Sequence, residues 1–196
     1  PRFLDCRVST LGVDLMTLNS GKIYGPKGTG CLYIRRGVNL SPLIYGGGQE
    51  RGRRSGTENV EAIVGFAGAL ELCVKLREPE SLRLSKLRDY FIQKLLALPG
   101  ATLNGSLESR LPNNINVSFV GADSEFVVLN LDAHGVYASS GSACSTRTKD
   151  ASYVIEALGH SPEVALGAVR FTLGRDTTKR DFDYVLKILP AILTRA

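Results

Sequence analysis

Cys144 lies within residues 139–145, a run of four serines, a glycine and an alanine around one thiol. A thiolate is a strong nucleophile, and no bulky side chain in this run would shield it. Two more residues have types and positions suited to chemistry: Lys22, which directly follows a predicted strand, and Arg170, which lies within another. The sequence therefore offers a nucleophile, an amine and an anion-binding guanidinium.

Lys22 and Arg170 each have two interpretations. Among small residues past a strand end, the Lys22 amine would be partly withdrawn from water and suited to forming a Schiff base, but an isolated loop lysine is more often simply solvated. Arg170 has the planar fork that binds carboxylates, yet an arginine at a strand end often pairs with an acidic neighbour. The residues alone leave these alternatives open.

Composition and charge exclude several classes of protein. With 196 residues, of which 43% are hydrophobic and 22% charged, the chain is ordinary for a globular protein. Its net charge of +5 is spread along the sequence without interleaved aromatic residues, so we expect no nucleic-acid binding.

No apolar stretch approaches the ~18 to 20 residues of a membrane span, and no leader opens the chain. We expect a cytoplasmic enzyme without membrane contact, and the basic run at residues 51–54 indicates a small anionic ligand.

The four cysteines of the chain are Cys6, Cys31, Cys73 and Cys144. They are widely separated, and none is spaced from another cysteine or from the two histidines as metal ligands are. The sequence therefore predicts no metal site and no disulfide framework. Cys31 and Cys73 lie in apolar surroundings, where we expect small buried side chains. Cys144 does not lie in such surroundings and has no comparable role in packing.

The order of predicted elements indicates two domains. The first part contains strands at residues 13–18 and 30–35, a glycine-rich loop at 46–56 and a helix that Thr57 or Glu58 would cap. The apolar strand at 13–18 is expected to be buried with a neighbour on each side, as if it belonged to a sheet that begins earlier. A break at residues 77–79 precedes a second helix at 80–98, and we place the domain boundary between residues 76 and 77.

The apolar positions of the first helix recur at helical spacing: Val60, Ile63, Val64, Ala67, Leu70 and Val74. Beyond the boundary, strands at 115–119, 136–139 and 168–172 alternate with helices at 124–134, 152–158 and 179–193. This alternation predicts an α/β second domain covering residues 77–196.

Five motifs recur in one order along nearly the whole chain, at residues 14–30, 46–52, 54–57, 139–144 and 170–175. Together they resemble the pyridoxal-phosphate-dependent cysteine desulfurases of the NifS and IscS type, in the class V aminotransferase-like family. The resemblance implies the fold type I architecture of these α/β enzymes. Residues 1–76 would then end the large cofactor-binding domain, and residues 77–196 would form the small C-terminal domain.

The resemblance also implies a role for each candidate residue. Lys22 corresponds to the lysine that holds pyridoxal 5'-phosphate and moves protons at the substrate, and Ser20 is a candidate contact for the cofactor phosphate. Thr57 corresponds to a residue that reaches the phosphate of a partner subunit, which implies a homodimer. Arg170 corresponds to the arginine that binds the α-carboxylate of L-cysteine. Cys144 corresponds to the nucleophile that takes the substrate sulfur as a persulfide, leaving alanine.

The serine-rich stretch around Cys144 suggests a mobile loop that delivers sulfur to an iron–sulfur scaffold or sulfur-carrier protein. Two departures qualify the resemblance. Gly21 stands where many relatives have histidine, and the half of the large domain with the residue that pairs with the pyridine nitrogen does not precede this segment. We therefore expect a fragment, or a piece of a split enzyme completed by another polypeptide, with little or no activity alone. The alternatives are a non-catalytic sulfur-accepting or scaffold-binding module, a selenocysteine lyase, or another class V aminotransferase-like enzyme.

Overall fold

The structure, a computed structural model, describes residues 1–140 and 151–196. These residues form two compact units, Pro1–Pro79 and Glu80–Ala196. The division therefore falls after Pro79, where the sequence placed a boundary after residue 76. Of the helices in the described ranges, none is long and apolar enough to cross a membrane.

The first unit contains a short helix, α1 (Val8–Leu11), the strands β1 (Leu15–Asn19) and β2 (Gly30–Ile34), and the first part of the long helix α2 (Val60–Leu95). The two strands are antiparallel, with Leu15 opposite Ile34 and Asn19 opposite Gly30. The core of this unit is small: Ile23, Phe66 and Cys73 are buried, with Leu18, Ala69 and Leu70 packed against them.

The prediction that β1 is a fully buried strand is wrong for the described residues. Its residues alternate between exposed and half-buried positions, because the sheet to which it belongs has only two strands. The prediction that Cys31 is buried is wrong for the same reason, since this residue lies on the exposed part of β2. Cys73, in contrast, is buried as predicted.

Helix α2 runs without interruption through Pro79, so the prediction of two helices separated at residues 77–79 is wrong. A proline inside a helix removes one N–H donor and crowds the preceding turn, at a cost of ~3 kcal/mol. The buried Leu84, Phe91 and Leu95 in the following turns indicate that tertiary packing outweighs this local cost. The helix starts at Val60, and the Asn59 side chain accepts a hydrogen bond from the Ala62 N–H at 3.1 Å.

Asn59, rather than the predicted Thr57 or Glu58, is therefore the N-terminal cap of α2. The buried face of its first part also differs from the prediction. Phe66 and Cys73 are buried, whereas Val60 and Val64 on the predicted face are exposed. The helix has two apolar stripes at helical spacing, and the stripe that contains Phe66 is the one that packs in this unit.

The second unit continues from α2 with eight further elements: β3 (Ala101–Leu103), β4 (Asn114–Phe119), α3 (Ser124–Ala133), β5 (Ser139–Ser140), α4 (Tyr153–Ala157), α5 (Pro162–Leu166), β6 (Ala168–Thr172) and α6 (Lys179–Leu193). Its sheet has the order β3-β4-β6-β5, and each neighbouring pair is antiparallel. The short elements β3 and α5 were not predicted.

The strand predicted at residues 136–139 is displaced, because Val136 closes helix α3 instead of starting β5. The Val136 N–H donates to the Leu131 carbonyl, and the Gly135 N–H donates to the Asp132 carbonyl. Gly135 has a φ of 75°, so these two bonds form the Schellman motif that commonly ends helices. At the other end of α3, the Asp123 carboxylate caps the helix by accepting from the N–H groups of Glu125 and Phe126.

One face of the four-stranded sheet forms the core of the second unit. Phe91 from α2 is fully buried, stacks on Phe182 of α6 with ring centroids 4.4 Å apart, and meets Phe171 of β6 edge-on at 5.3 Å. Such pairs add to the free energy of burial. The opposite face carries polar side chains, including the candidate substrate-binding residue Arg170, and at one end Ala168 packs in a small apolar cluster with Ile155 and Ala165.

Candidate active site

Lys22 lies on a single turn of 3₁₀ helix (Ser20–Ile23) that directly follows β1. The turn is closed by the Gly25 N–H, which donates to the Ser20 carbonyl at 3.0 Å. A side chain at Gly25 would clash with Ser20 Oγ and come within 3.0 Å of Ala69 Cβ, so only glycine fits there. The Lys22 side chain is exposed, and the partial burial expected from its small neighbours is not found in the described residues.

Tyr24, two residues after Lys22, has a φ of 65°, a conformation that side chains other than glycine rarely adopt. The Arg2 guanidinium lies over the Tyr24 ring at 4.4 Å from its centroid, a favourable cation–π distance. The turn that presents Lys22 is therefore held by a backbone bond and by packing on Tyr24.

Ser20, the candidate contact for the cofactor phosphate, differs in exposure from Asn19, the polar residue that precedes it. Ser20 is 0% exposed, and its Oγ has no hydrogen-bond partner among the described residues. Asn19 is exposed, and a Cβ added at Gly21 would lie 3.3 Å from its Oδ1. Of the two side chains, Asn19 is therefore the one accessible to an anion from solvent.

Thr57 is exposed at the end of the glycine-rich loop. Within this loop the Gly56 N–H donates to Gln49 Oε1 at 3.0 Å, and Glu50 and Arg51 have φ values of 51° and 59°. Two successive non-glycine residues with positive φ require support from surrounding contacts and often occur at functional loops. The basic run at residues 51–54 is exposed beside them, as expected for an anion-binding loop.

Arg170 lies on β6, in the middle of the polar sheet face, opposite Asn116 of β4 and Ser139 of β5. It is half-buried, and its Nε atom is buried without a hydrogen-bond partner among the described residues. Within the described chain no carboxylate lies within ion-pair distance of its guanidinium, so the alternative of a paired strand-end arginine finds no partner there. A buried donor without an acceptor is costly, which is typical of a group that binds a ligand.

The loop after β6 is fixed by Arg83 of α2, a residue that our sequence reasoning missed. The Arg83 guanidinium donates to the carbonyls of Arg175 at 2.7 Å, Thr177 at 2.8 Å and Gly174 at 3.3 Å, and it also pairs with Glu80. An arginine inside a helix carries no local signal of such distant bonds. Its contacts hold the chain that leaves the strand of Arg170.

A second arginine of this unit, Arg110, adds positive charge near the polar face. Its Nη1 donates to Asn114 Oδ1 at 3.0 Å, and its Nη2 donates to the Asn104 carbonyl. Burial and the neighbouring Arg88 charge lower the pKa of Arg110, although an arginine stays protonated at neutral pH. This end of the face therefore favours anions.

The predicted site residues are divided between the two units. Lys22, Ser20 and Thr57 belong to the first unit, and Arg170 belongs to the second. Cys144 lies outside the described residues, as does most of the serine-rich loop. Lys22 on the turn and Asn19 at the end of β1 supply an exposed amine and an exposed amide, and this donor set fits an aldehyde cofactor that carries a phosphate.

The chain matches the family model described as aminotransferase class-V over residues 4–185. It is 47% identical over 192 residues to "Cysteine desulfurase IscS 1" of Archaeoglobus fulgidus, covering 98% of this chain and 50% of that protein. It is 47% identical over 189 residues to "Cysteine desulfurase IscS" of Dictyoglomus turgidum, covering 96% of this chain and 48% of that one. The chain thus spans about half the length of the curated relatives it matches.

A solved "NifS-like protein" superposes with a TM-score of 0.89 at 36% sequence identity, covering all of this chain and 50% of that structure. The similarity extends through both units and confirms the predicted α/β fold. Because the family model spans nearly the whole sequence, this chain belongs to the class-V aminotransferase family.

Proposed function

We propose that this chain is the part of a pyridoxal-phosphate-dependent cysteine desulfurase that carries the cofactor lysine, the substrate arginine and the sulfur-accepting cysteine. The observation that carries the proposal is Arg170, a half-buried arginine without an acidic partner among the described residues, on a polar sheet face. Such a guanidinium suits the carboxylate of an amino acid. Similarity to proteins named cysteine desulfurase supports the choice of L-cysteine as that amino acid.

Lys22 would hold the cofactor through its exposed amine and then move a proton at the Cα of the substrate. Asn19 and Ser20 are the neighbouring candidates for the cofactor phosphate, and Asn19 is the more accessible of the two. When bound, the cofactor supplies an electron sink for bonds broken at the substrate carbon atoms. The protein supplies the orientation and the proton transfers.

Arg170 would bind the α-carboxylate of L-cysteine, and the Cys144 thiolate would attack the substrate sulfur. The Cβ–S bond of the substrate breaks and an S–S bond to Cys144 forms. The electron pair of the broken bond stays with the carbon skeleton, which takes up a proton and leaves as alanine. The sulfur is oxidised while the substrate carbon is reduced, so L-cysteine and a thiol become alanine and a persulfide without any added oxidant.

We further propose a homodimer, a sulfur acceptor and a cytoplasmic location for the reaction. Thr57 would contact the cofactor of a partner subunit in a homodimer, and the persulfide would pass to an iron–sulfur scaffold or a sulfur carrier in the cytoplasm. Residues 1–76 would belong to the large domain and residues 77–196 to the small one. The exposure of Thr57 and the preformed backbone of its loop support the first of these assignments.

The role of Lys22 is tested by incubating the chain with pyridoxal phosphate, reducing with borohydride and locating the modified lysine by mass spectrometry. We expect attachment at Lys22 and loss of this modification in Lys22→Ala. Lys27→Ala is the matched control, because Lys27 is also exposed and lies close in sequence. Equal labelling of both lysines would overturn the assignment.

The sulfur-transfer step is tested with L-cysteine in the presence of the cofactor, measuring alanine and the mass of each cysteine-containing peptide. We expect persulfide on Cys144 when the chain is supplemented with the polypeptide that completes the large domain, and none in Cys144→Ser, with Cys31→Ser as the exposed-cysteine control. The chain alone should turn over slowly or not at all. Persulfide that arrives only from another enzyme, without cofactor on Lys22, would instead favour a sulfur-accepting module.

A further inference from the structure

The polar face of the second unit carries a row of side chains that crosses its whole sheet. Arg170 on β6 faces Asn116 on β4 and Ser139 on β5, and Asn104, the residue after β3, continues the row beyond Asn116. Directly opposed side chains on one face of a sheet have Cβ atoms about 5 Å apart. Asn116 is therefore within reach of a ligand held by Arg170.

The orientation of the Asn116 amide is set by Asn104. Asn104 is 3% exposed, and its Nδ2 donates to Asn116 Oδ1 at 2.7 Å and to Ser118 Oγ at 2.8 Å. Its backbone N–H also donates to the Asn116 carbonyl at 2.9 Å. With its oxygen engaged by Asn104, the Asn116 amide has its Nδ2 left to donate, and strand register places Arg170 opposite this residue on β6.

Two side chains on register-paired positions of β4 and β6 thus have donors that bond to no group in the described part of the chain. Arg170 Nε is buried and unpartnered, and Asn116 Nδ2 donates to no described group, although Asn116 is half-buried. Asn114 is the next residue of β4 on the same face, and Arg110 donates to it, which adds positive charge. A carboxylate has two oxygens in one plane and fits an amide and a guanidinium donor together.

We propose that Asn116 is a second binding residue for the α-carboxylate of the substrate, placed beside Arg170 by strand register and oriented by Asn104. This inference rests on the proposed function, because it takes the anion to be the carboxylate of an amino acid. Asn116 and Arg170 both donate hydrogen bonds to the carboxylate. Asn104 is a positioning residue, which acts only by orienting Asn116.

The test is a titration of the full, ¹⁵N-labelled chain with L-alanine, the proposed product, and with L-alaninamide, which lacks the carboxylate. The Arg170 Nε–H and the Asn116 side-chain amide are followed by NMR, so neither cofactor nor turnover is needed. We expect L-alanine to shift both signals with one saturation curve, and L-alaninamide to shift neither. Asn116→Asp, which repels a carboxylate but still accepts from Asn104, should weaken binding more than about tenfold.

Asn114→Asp is the matched control, because the same substitution on the same face places the new charge against Arg110. Its affinity for L-alanine should fall clearly less than that of Asn116→Asp, because it removes the influence of a more distant charge and no donor to the carboxylate. Asn116→Ala, which adds no charge, should weaken binding severalfold and serves if Asn116→Asp fails to fold. The backbone amide spectrum reports folding in each variant.

The outcomes separate this inference from the proposed function. Loss of binding in Arg170→Gln with parent-like binding in both Asn116 variants would overturn the role of Asn116 and leave that of Arg170. Parent-like binding in Arg170→Gln would overturn the proposed role of Arg170. No saturable shift in the parent chain would overturn both.

Discussion

The two parts of helix α2 bury their apolar side chains to very different extents. In the first unit, only Phe66 and Cys73 of this helix are buried, while Val60 and Val64 are 60% and 64% exposed. In the second unit, Leu84, Phe91, Ile92 and Leu95 are all within 2% of full burial. The difference shows that the second unit has a core of its own, whereas the first unit has only a small cluster of buried apolar side chains.

The first prediction compares the two buried aromatic side chains of the helix, Phe91 and Phe66. Phe91→Ala should lower the free energy of unfolding by about 3–5 kcal/mol, because it removes a fully buried ring stacked on Phe182. Phe66→Ala is the matched change in the first unit and should cost clearly less, since its small cluster can collapse around the gap. Urea unfolding followed by circular dichroism measures both, and equal costs would contradict the comparison.

The second prediction concerns the bonds that helix α2 makes in the second unit. Arg83→Ala should cost about 1–2 kcal/mol, because three loop carbonyls and Glu80 lose their donor at a partly solvated site. Lys86→Ala, at an exposed position of the same helix, should be near neutral. Hydrogen exchange at residues 174–178 should rise in the Arg83 variant alone, and unchanged exchange there would show that the loop is held by other contacts.

The third prediction concerns the exposed apolar stripe of the first unit. Val64→Ser should change the stability of the chain by no more than about 0.5 kcal/mol, because its side chain loses little burial. It should also reduce concentration-dependent self-association, measured by sedimentation velocity. A large loss of stability would mean that Val64 is buried in the protein in solution.

The smallest effect is a pH dependence at the surface of the second unit. Lys179 donates to Asp183 at 2.7 Å and Tyr90 donates to it at 2.6 Å, and these bonds lower the pKa of the Asp183 carboxyl below its usual 3.8. A lowered folded-state pKa stabilises the protein above the unfolded value, and this contribution is lost as the pH falls through the folded value. NMR titration should show the Asp183 pKa rising toward 3.8 in Lys179→Ala, whereas an unchanged value would assign the shift to Tyr90.

Parts of the fold follow from local sequence signals and parts do not. The strand Ala168–Thr172 and the helix Lys179–Leu193 have the predicted bounds, because apolar spacing and the Thr178–Asp181 capping box specify them locally. Pro79 misled the prediction, because the helix continues through it into turns in which Leu84, Phe91 and Leu95 are buried. The three-residue strand β3 is too short for a periodic signal.

In the candidate site, too, the residues with a local signal in the sequence could be predicted and those placed by distant contacts could not. Lys22 and Arg170 are recognisable from their types and their neighbours in the sequence. Asn116 is not, because it lies opposite Arg170 only through the register of strands that are far apart in the chain, and Asn104 is not, because it bonds to Asn116 across β3 and β4. Ser20 is likewise fully buried beside Gly25, which no pattern around Ser20 indicates.

The strand order β3-β4-β6-β5 has a consequence for how this protein is made. β3 and β4 are close in sequence and can pair early, but β4 must wait for its central partner β6 until α3, β5, α4 and α5 have been synthesised. Pairing across such a separation requires closure of a long loop and is slow. During translation, Asn114–Phe119 would therefore have an open edge that a ribosome-associated chaperone could cover, until Arg170 emerges and completes both the sheet and its polar row.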